Sequence, residues 1–358
     1  DLAEEKERTI EFCRKQAMKE ALTQCVDLIE EGKNEQVTEV MKTALSVGIP
    51  TSTGHDFFED FEARFSAQTR VPCPTGIPQL DREDVLAGGL ARGELGVITA
   101  NTGVGKSHML VNFGAHALRC GKNVLHYTFE LSETKVGLRY DSNLCNIDSN
   151  EVIVNKEVVR KAYEGMELGR LIIKEYPTGS ASVITLRSHI EKLQMKGFKP
   201  SVILIDYADI MRSTRSYDSM RHELKLIYVE VRNLSQELGI PIWTASQANR
   251  DSANSEIVGL ENMAEAYGKA MVADVVISIS RKASEKATGF GRLFVAKNRA
   301  GRDGLLFHIK LDTARSKVTA ADPDEEQTFA EAATQDEAYK KTRLTEAYNE
   351  LKADLASK

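Results

Sequence analysis

A short apolar strand pattern runs directly into a glycine-bearing turn and then into a helix pattern, an order that few folds accept. Glu94-Leu-Gly-Val-Ile-Thr-Ala100 reads as a buried strand, and His108 to Leu118 reads as a helix. Between them lies Ala100-Asn-Thr-Gly-Val-Gly-Lys106-Ser107. Such a turn aims a run of backbone N–H groups and a helix N-terminus at one point, which suits phosphate. The cradle consists of Asn101, Thr102, Gly103, Val104, Gly105, Lys106, Ser107 and His108. Lys106 is expected to reach the β/γ oxygens of a nucleoside triphosphate, and Ser107 to offer its hydroxyl to Mg²⁺. The strict pattern has glycine at its first position, where this chain has Ala100. That position begins the turn without approaching phosphate closely, so alanine is tolerable.

From residue 76 the pattern alternates strand and helix, the mark of a mostly parallel α/β sheet. Strands are expected near 95–100, 123–129, 171–176, 201–206, 241–246 and 274–280. Helices are expected near 107–120, 132–145, 182–196, 218–238 and 260–270. Two or three further strands, at 291–297, 305–311 and 316–319, have no helices between them and imply an antiparallel C-terminal extension. Ahead of this core, residues 2–31 read as an amphipathic helix carrying Ile10, Cys13, Ala17, Ala21, Cys25 and Leu28. A second amphipathic segment, Val37 to Leu45, is too short to stand alone and must dock.

Composition narrows the remaining classes. No apolar run approaches ~18 residues, so no membrane helix is expected and the cytoplasm is the expected location. Five scattered cysteines form no CxxC pair, which argues for a reducing interior and against zinc. The chain starts at Asp1, so a preceding segment is expected to be missing. The net charge is −6, and residues 321–358 carry −5 of it, from ten acids and five bases. The rest is near neutral, so the overall balance does not decide for or against nucleic acid.

Four further features stand where hydrolysis would need them. Glu130 follows the second strand and could polarise a water. Asp206 ends the apolar strand Ser201–Asp206 and could hold Mg²⁺ through water beside Ser107. Gln247 ends another strand and could sense a γ-phosphate; alone, it would read as an ordinary amide at a strand end. Lys297 and Arg299 lie on a late strand, too far along the sheet for their own loop, and could reach a neighbour's γ-phosphate.

Together these pieces resemble a family. Thr75-Gly-Ile-Pro-Gln-Leu-Asp81 and Gly88-Gly-Leu-Ala-Arg-Gly-Glu94 look like the lead-in of RecA-superfamily ATPases. Phe129-Glu-Leu-Ser132, Ile203-Leu-Ile-Asp-Tyr207, Ser246-Gln-Ala-Asn-Arg250 and Lys297-Asn-Arg299 resemble the ordered motifs of DnaB-type replicative DNA helicases. Those of large tailed bacteriophages are the nearest likeness, through Gly54 to Arg64 and Tyr176-Pro-Thr-Gly179. A phage origin would make the location the host cytoplasm.

The resemblance implies a RecA-like P-loop ATPase core whose homo-hexameric ring surrounds single-stranded DNA and moves 5′→3′. Glu130 would be the catalytic base, Asp206 the Mg²⁺-side acid, Gln247 the γ-phosphate switch, and Lys297 and Arg299 would act across a subunit boundary. Residues 1–34 would be the remnant of an N-terminal collar, 35–75 a linker helix and lead-in, 76–320 the motor, and 321–358 an acidic helical or partly disordered tail. DNA contacts are expected from Arg212, Arg215 and Arg221, and from Arg250 and Asn254 in a long segment running to Lys269. A primase or a helicase loader is a candidate further partner. A RecA- or RadA-like recombinase and a nucleotide-switched protein scaffold are the alternatives.

Overall fold

Leu95–Ala100 form β1, and all six residues are buried because the strand lies mid-sheet with helices on both faces. The computed structural model describes residues 2–30, 33–46, 56–59, 61–62, 71–217, 219–249, 257, 259–260, 267–282, 285 and 288–321. Two compact units divide at residue 69/70. In the first, α1 (Leu2–Glu30) and α2 (Asn34–Ser46) pack on each other through Ala21, Cys25 and Ala44. The short second helix therefore docks on α1 of its own chain. Among the described residues no helix is long and apolar enough to cross a membrane.

The second unit alternates as expected. After β1 come α3 (Lys106–Arg119), β2 (Val124–Thr128), α4 (Glu133–Cys145), α5 (Lys156–Glu164), β3 (Leu171–Glu175) and α6 (Val183–Met195). Then follow β4 (Val202–Asp206), a 3₁₀ turn (Ala208–Ile210), α7 (Met220–Leu238), β5 (Ile242–Gln247), α8 (Tyr267–Val272) and β6 (Val275–Ser280). β7 (Phe290–Asn298), β8 (Leu305–Asp312) and β9 (Lys317–Ala320) complete one sheet of nine strands. Their order is β3-β2-β4-β5-β1-β6-β7-β8-β9. The first six strands in that order are parallel and the last three antiparallel.

β1, β2, β4, β5 and β6 are buried on both strand faces, and a separate core forms on each side. One holds Met109, Leu110 and Phe113 of α3 against Leu204 and Trp243; the other holds Ile227, Tyr228, Val231 and Leu234 of α7 against Ile203 and Ile242. Register places the strand ends together: Ala100 pairs with Gln247, and Thr128 with Asp206. The carboxyl ends of β1, β2, β4 and β5 thus open on one crevice, where open α/β sheets bind ligands.

A buried imidazole gives the fold a pH dependence. His126 of β2 is fully enclosed, with Nδ1 2.9 Å from the Tyr140 hydroxyl and Nε2 without a partner. Burial, helped by the Arg139 charge, pushes its pKa down to about 3. The unfolded chain binds a proton near pH 6.5 that the fold refuses, so stability falls as pH drops through the window between these values, by about 1.4 kcal/mol per pH unit. Asp206 opposes this below about pH 6, its carboxyl being raised by burial. The thermal midpoint of His126→Gln should therefore fall less between pH 6.5 and 5 than that of the parent. Parallel curves would contradict this assignment.

Candidate functional site

The turn after β1 closes around the side chain of Lys106. Its Nζ donates to the carbonyls of Ala100 at 2.8 Å and Asn101 at 3.3 Å, which holds the ammonium at the mouth of the loop. Burial lowers the Lys106 pKa, opposed by Asp206, Asp209 and Glu130. Ala100 itself is the last residue of β1 and fully buried, so the departure from glycine costs no special backbone conformation. Gly105 caps α3 at φ 126°, and a Cβ there would meet Leu311 of β8 at 2.3 Å. Val104 packs into the core and leaves only its backbone to the loop.

A cavity of about 390 Å³ opens at the opposite, amino ends of the strands, near Arg92, Lys122 and Lys199. The cavity at the carboxyl ends measures about 370 Å³ and holds the chemistry. It is lined by Thr102, Gly103, Gly105, Lys106, Ser107, His108, Glu130 and Gln247, so most of the residues singled out in the sequence converge. Glu130 is solvent-exposed there. Its backbone is fixed on both sides: Phe129 N–H donates to Asp206 O at 2.8 Å, and the Thr128 hydroxyl accepts from Leu131 N–H at 3.1 Å. Gln247 Nε2 donates to the Thr102 hydroxyl at 2.6 Å, which joins the end of β5 to the phosphate turn.

Asp206 lies beneath the cavity, 2% exposed. Burial raises its carboxyl to about 6, against the pull of the Ser107 hydroxyl hydrogen-bonded to it; Glu130 raises it further, while Arg139 and Lys106 lower it. Its Oδ1 is buried without a partner. An orphaned carboxylate oxygen beside a hydroxyl is a donor pair suited to a hard cation that draws its other ligands from phosphate and water. Among the described residues no group of three or more His, Cys, Asp and Glu side chains could hold a metal by itself.

Three residues missed in the sequence complete the lining: Arg139 from α4, Tyr207 just past β4, and Thr313 from the β8–β9 turn. Arg139 carries a buried Nη1 without a partner, and its charge interacts with Asp206 and Glu130. A signal for it exists: it sits nine residues past Glu130, on the helix capped by Ser132, whose Oγ accepts from Lys135 N–H.

Lys297 and Arg299 are not in this cavity. Lys297 Nζ donates to the carbonyls of Ala270 at 2.7 Å, Met271 at 3.0 Å and Ala273 at 2.7 Å, at the C-terminal end of α8. Arg299 Nη2 donates to Met271 O at 2.8 Å, and its side chain is 45% exposed. Arg212, Arg215 and Arg221 are all exposed, Arg212 and Arg215 ahead of α7 and Arg221 on its first turn. Arg250 and Asn254 lie outside the described residues, as does the tail from residue 322. Lys269, expected as the far end of a DNA-facing segment, lies on a helix, as its position near the end of the expected 260–270 helix implies, but is fully buried.

The DnaB-like helicase C terminal domain family matches residues 73–315, about two thirds of the chain. The chain belongs to this family. Among curated DnaB-like proteins, the "DnaB-like replicative helicase" of enterobacteria phage T4 is 30% identical over 254 residues, covering 68% of this chain and 54% of that protein. The "Replicative DNA helicase DnaB" of Helicobacter pylori is 24% identical over 216 residues, covering 58% and 43%. The chain thus spans about half the length of the curated relatives it matches. Two solved structures share the DnaB-type ATPase fold. One, of a DnaB-like replicative helicase and its interactions with primase, has a TM-score of 0.67 at 14% identity, covering 87% of this chain and 76% of that one. The other, an ATPase domain, has a TM-score of 0.62 at 15% identity, covering 75% and 100%.

Proposed function

We propose that this chain is the motor of a replicative DNA helicase, in which ATP hydrolysis at the subunit interfaces of a hexameric ring drives 5′→3′ movement on single-stranded DNA and duplex unwinding. The observation that carries this reading is the convergence of Lys106, Ser107, Glu130 and Gln247 on one cavity, with Asp206 beneath it. Family membership supports the DNA-directed part of it.

In this reading the loop N–H groups from Thr102 to Ser107 and the N-terminus of α3 bind the β- and γ-phosphates, and Lys106 leaves its carbonyl partners to neutralise them. The orphaned Oδ1 of Asp206 and the Ser107 hydroxyl fit Mg²⁺. Bound there, the ion would neutralise charge on the phosphate oxygens. Glu130 orients water and accepts its proton. Arg139 faces the same space and balances the two carboxylates. Gln247 exchanges Thr102 for the γ-phosphate, so that the end of β5 reports the nucleotide state. Arg299, with Lys297 beside it, serves the neighbouring subunit's site, in keeping with its distance from its own cavity.

Arg212, Arg215 and Arg221 offer exposed cations for the DNA backbone, and we place Arg250 and Asn254 with them. Three or so cations per subunit are few, and a ring of copies compensates through multivalency. A primase or loader is assigned to the part of the assembly outside the motor. Residues 1–34 and 35–75 are read as collar remnant and linker, and 321–358 as a tail. The test is ATP hydrolysis with and without single-stranded DNA.

A further inference from the structure

Lys269 is 1% exposed, which is rare for a lysine and costly without a partner. Its Nζ lies 2.8 Å from Asp209 Oδ1 and 3.4 Å from the Ser246 hydroxyl, over the ring of Tyr228 at 5.5 Å. Asp209 is saturated with donors. Its Oδ1 also accepts from the Tyr228 hydroxyl at 2.7 Å, and its Oδ2 accepts from the Ser246 hydroxyl and the Gln247 backbone N–H, both at 3.1 Å. A buried ion pair is weak evidence for stability, since apolar residues of similar volume often serve as well or better. What this pair adds is position, because it fixes the last two residues of β5.

The placement of the two elements gives the position a consequence. Gln247 projects from that strand end onto the Thr102 hydroxyl of the phosphate turn. Lys269 belongs to α8, which directly follows the 250–266 segment in the chain. The C-terminal carbonyls of the same helix are held by Lys297 and Arg299. One six-residue helix therefore touches the strand that carries Gln247 and the two late-strand cations.

We propose that Asp209 and Lys269 are a positioning pair that sets the phosphate-facing end of β5, Asp209 through an acceptor oxygen and Lys269, from α8, by neutralising that carboxylate, and so fixes how Gln247 meets the nucleotide. The proposal rests on the reading of Gln247 as the γ-phosphate contact.

The experiment compares two variants that both lack the buried charges. In Asp209→Asn/Lys269→Met the amide oxygen still accepts from Ser246 and Gln247, whereas in Asp209→Leu/Lys269→Met nothing does. Each is assayed for folding, for kcat, and for its preference for ATPγS over ADP by fluorescent-nucleotide displacement. The asparagine variant should stay within about threefold of the parent in both measures, and the leucine variant should lose about tenfold or more in kcat and most of the ATPγS preference, with ADP affinity unchanged. Equal kcat and equal preference in the two folded variants would overturn the proposal. If the leucine variant fails to fold, Lys269→Met alone decides: an unaltered ATPγS preference overturns it and a lost one supports it. The preference is read without turnover or DNA. A parent chain that binds nucleotide but fails to hydrolyse it would count against the proposed function and leave this test intact.

Discussion

Glu130→Gln should lower kcat for ATP by about 10²–10⁴-fold while leaving nucleotide affinity within about threefold. The substitution keeps the side chain's size and removes its capacity to take a proton. The surroundings give little reason for collateral damage. Glu130 is exposed, and the backbone on either side is held by Asp206 O and the Thr128 hydroxyl, neither of which the substitution touches. Lys106 and the loop N–H groups proposed to bind phosphate are unchanged, so binding and turnover should separate cleanly. Steady-state hydrolysis beside a fluorescent-ADP titration measures both. A variant within tenfold of the parent in kcat would remove Glu130 from the role of base.

The second large effect concerns Arg299. If it acts on a neighbour's γ-phosphate, Arg299→Ala should lower kcat by about 10³–10⁵-fold, the range of such fingers. Its position in this chain supplies a rival explanation, since it also caps Met271 O and lies 3.6 Å from Asp274. Mixing separates the two. Lys106→Ala chains lose their phosphate grip but keep Arg299, and Arg299→Ala chains the reverse. Mixed assemblies then contain some interfaces with both residues intact, and hydrolysis should reappear although each variant alone is nearly dead. A role confined to capping α8 within one chain predicts no such recovery. An inactive mixture, with mixed assembly verified, would sink the assignment in trans.

The central sheet was legible because its strands are short, largely apolar segments, several ending in a polar residue. Val202–Asp206 and Ile242–Gln247 announce both a buried strand and the residue at its carboxyl end. The phosphate turn was legible for the same reason: a local spacing of residues determines a local geometry. Helix α5 was not, because Lys156–Glu164 spans only nine residues: Val159, Ala162 and Tyr163 share one face, but about two and a half turns are too short for that period to stand out. Arg139 could have been read from its spacing to Glu130, whereas Thr313 reaches the cavity from the β8–β9 turn through long-range packing that spacing does not encode. Asp209 stood where the chain was expected to become a loop, yet it is the hub of a buried network. Lys269, at the end of the segment expected to face DNA, is inside for a related reason, and only its tertiary partner at 2.8 Å shows it. The carbonyl partners of Lys297 and Arg299 on α8 could not be foreseen from the strand alone.

If this cavity hydrolyses ATP in service of DNA, the rate of ATP hydrolysis by the parent chain with Mg²⁺ should rise by about tenfold or more when single-stranded DNA is added, and the rise should be absent in Glu130→Gln, measured alongside as the control. A parent rate that the variant abolishes but DNA leaves unchanged would contradict the DNA motor and favour a nucleotide-switched scaffold.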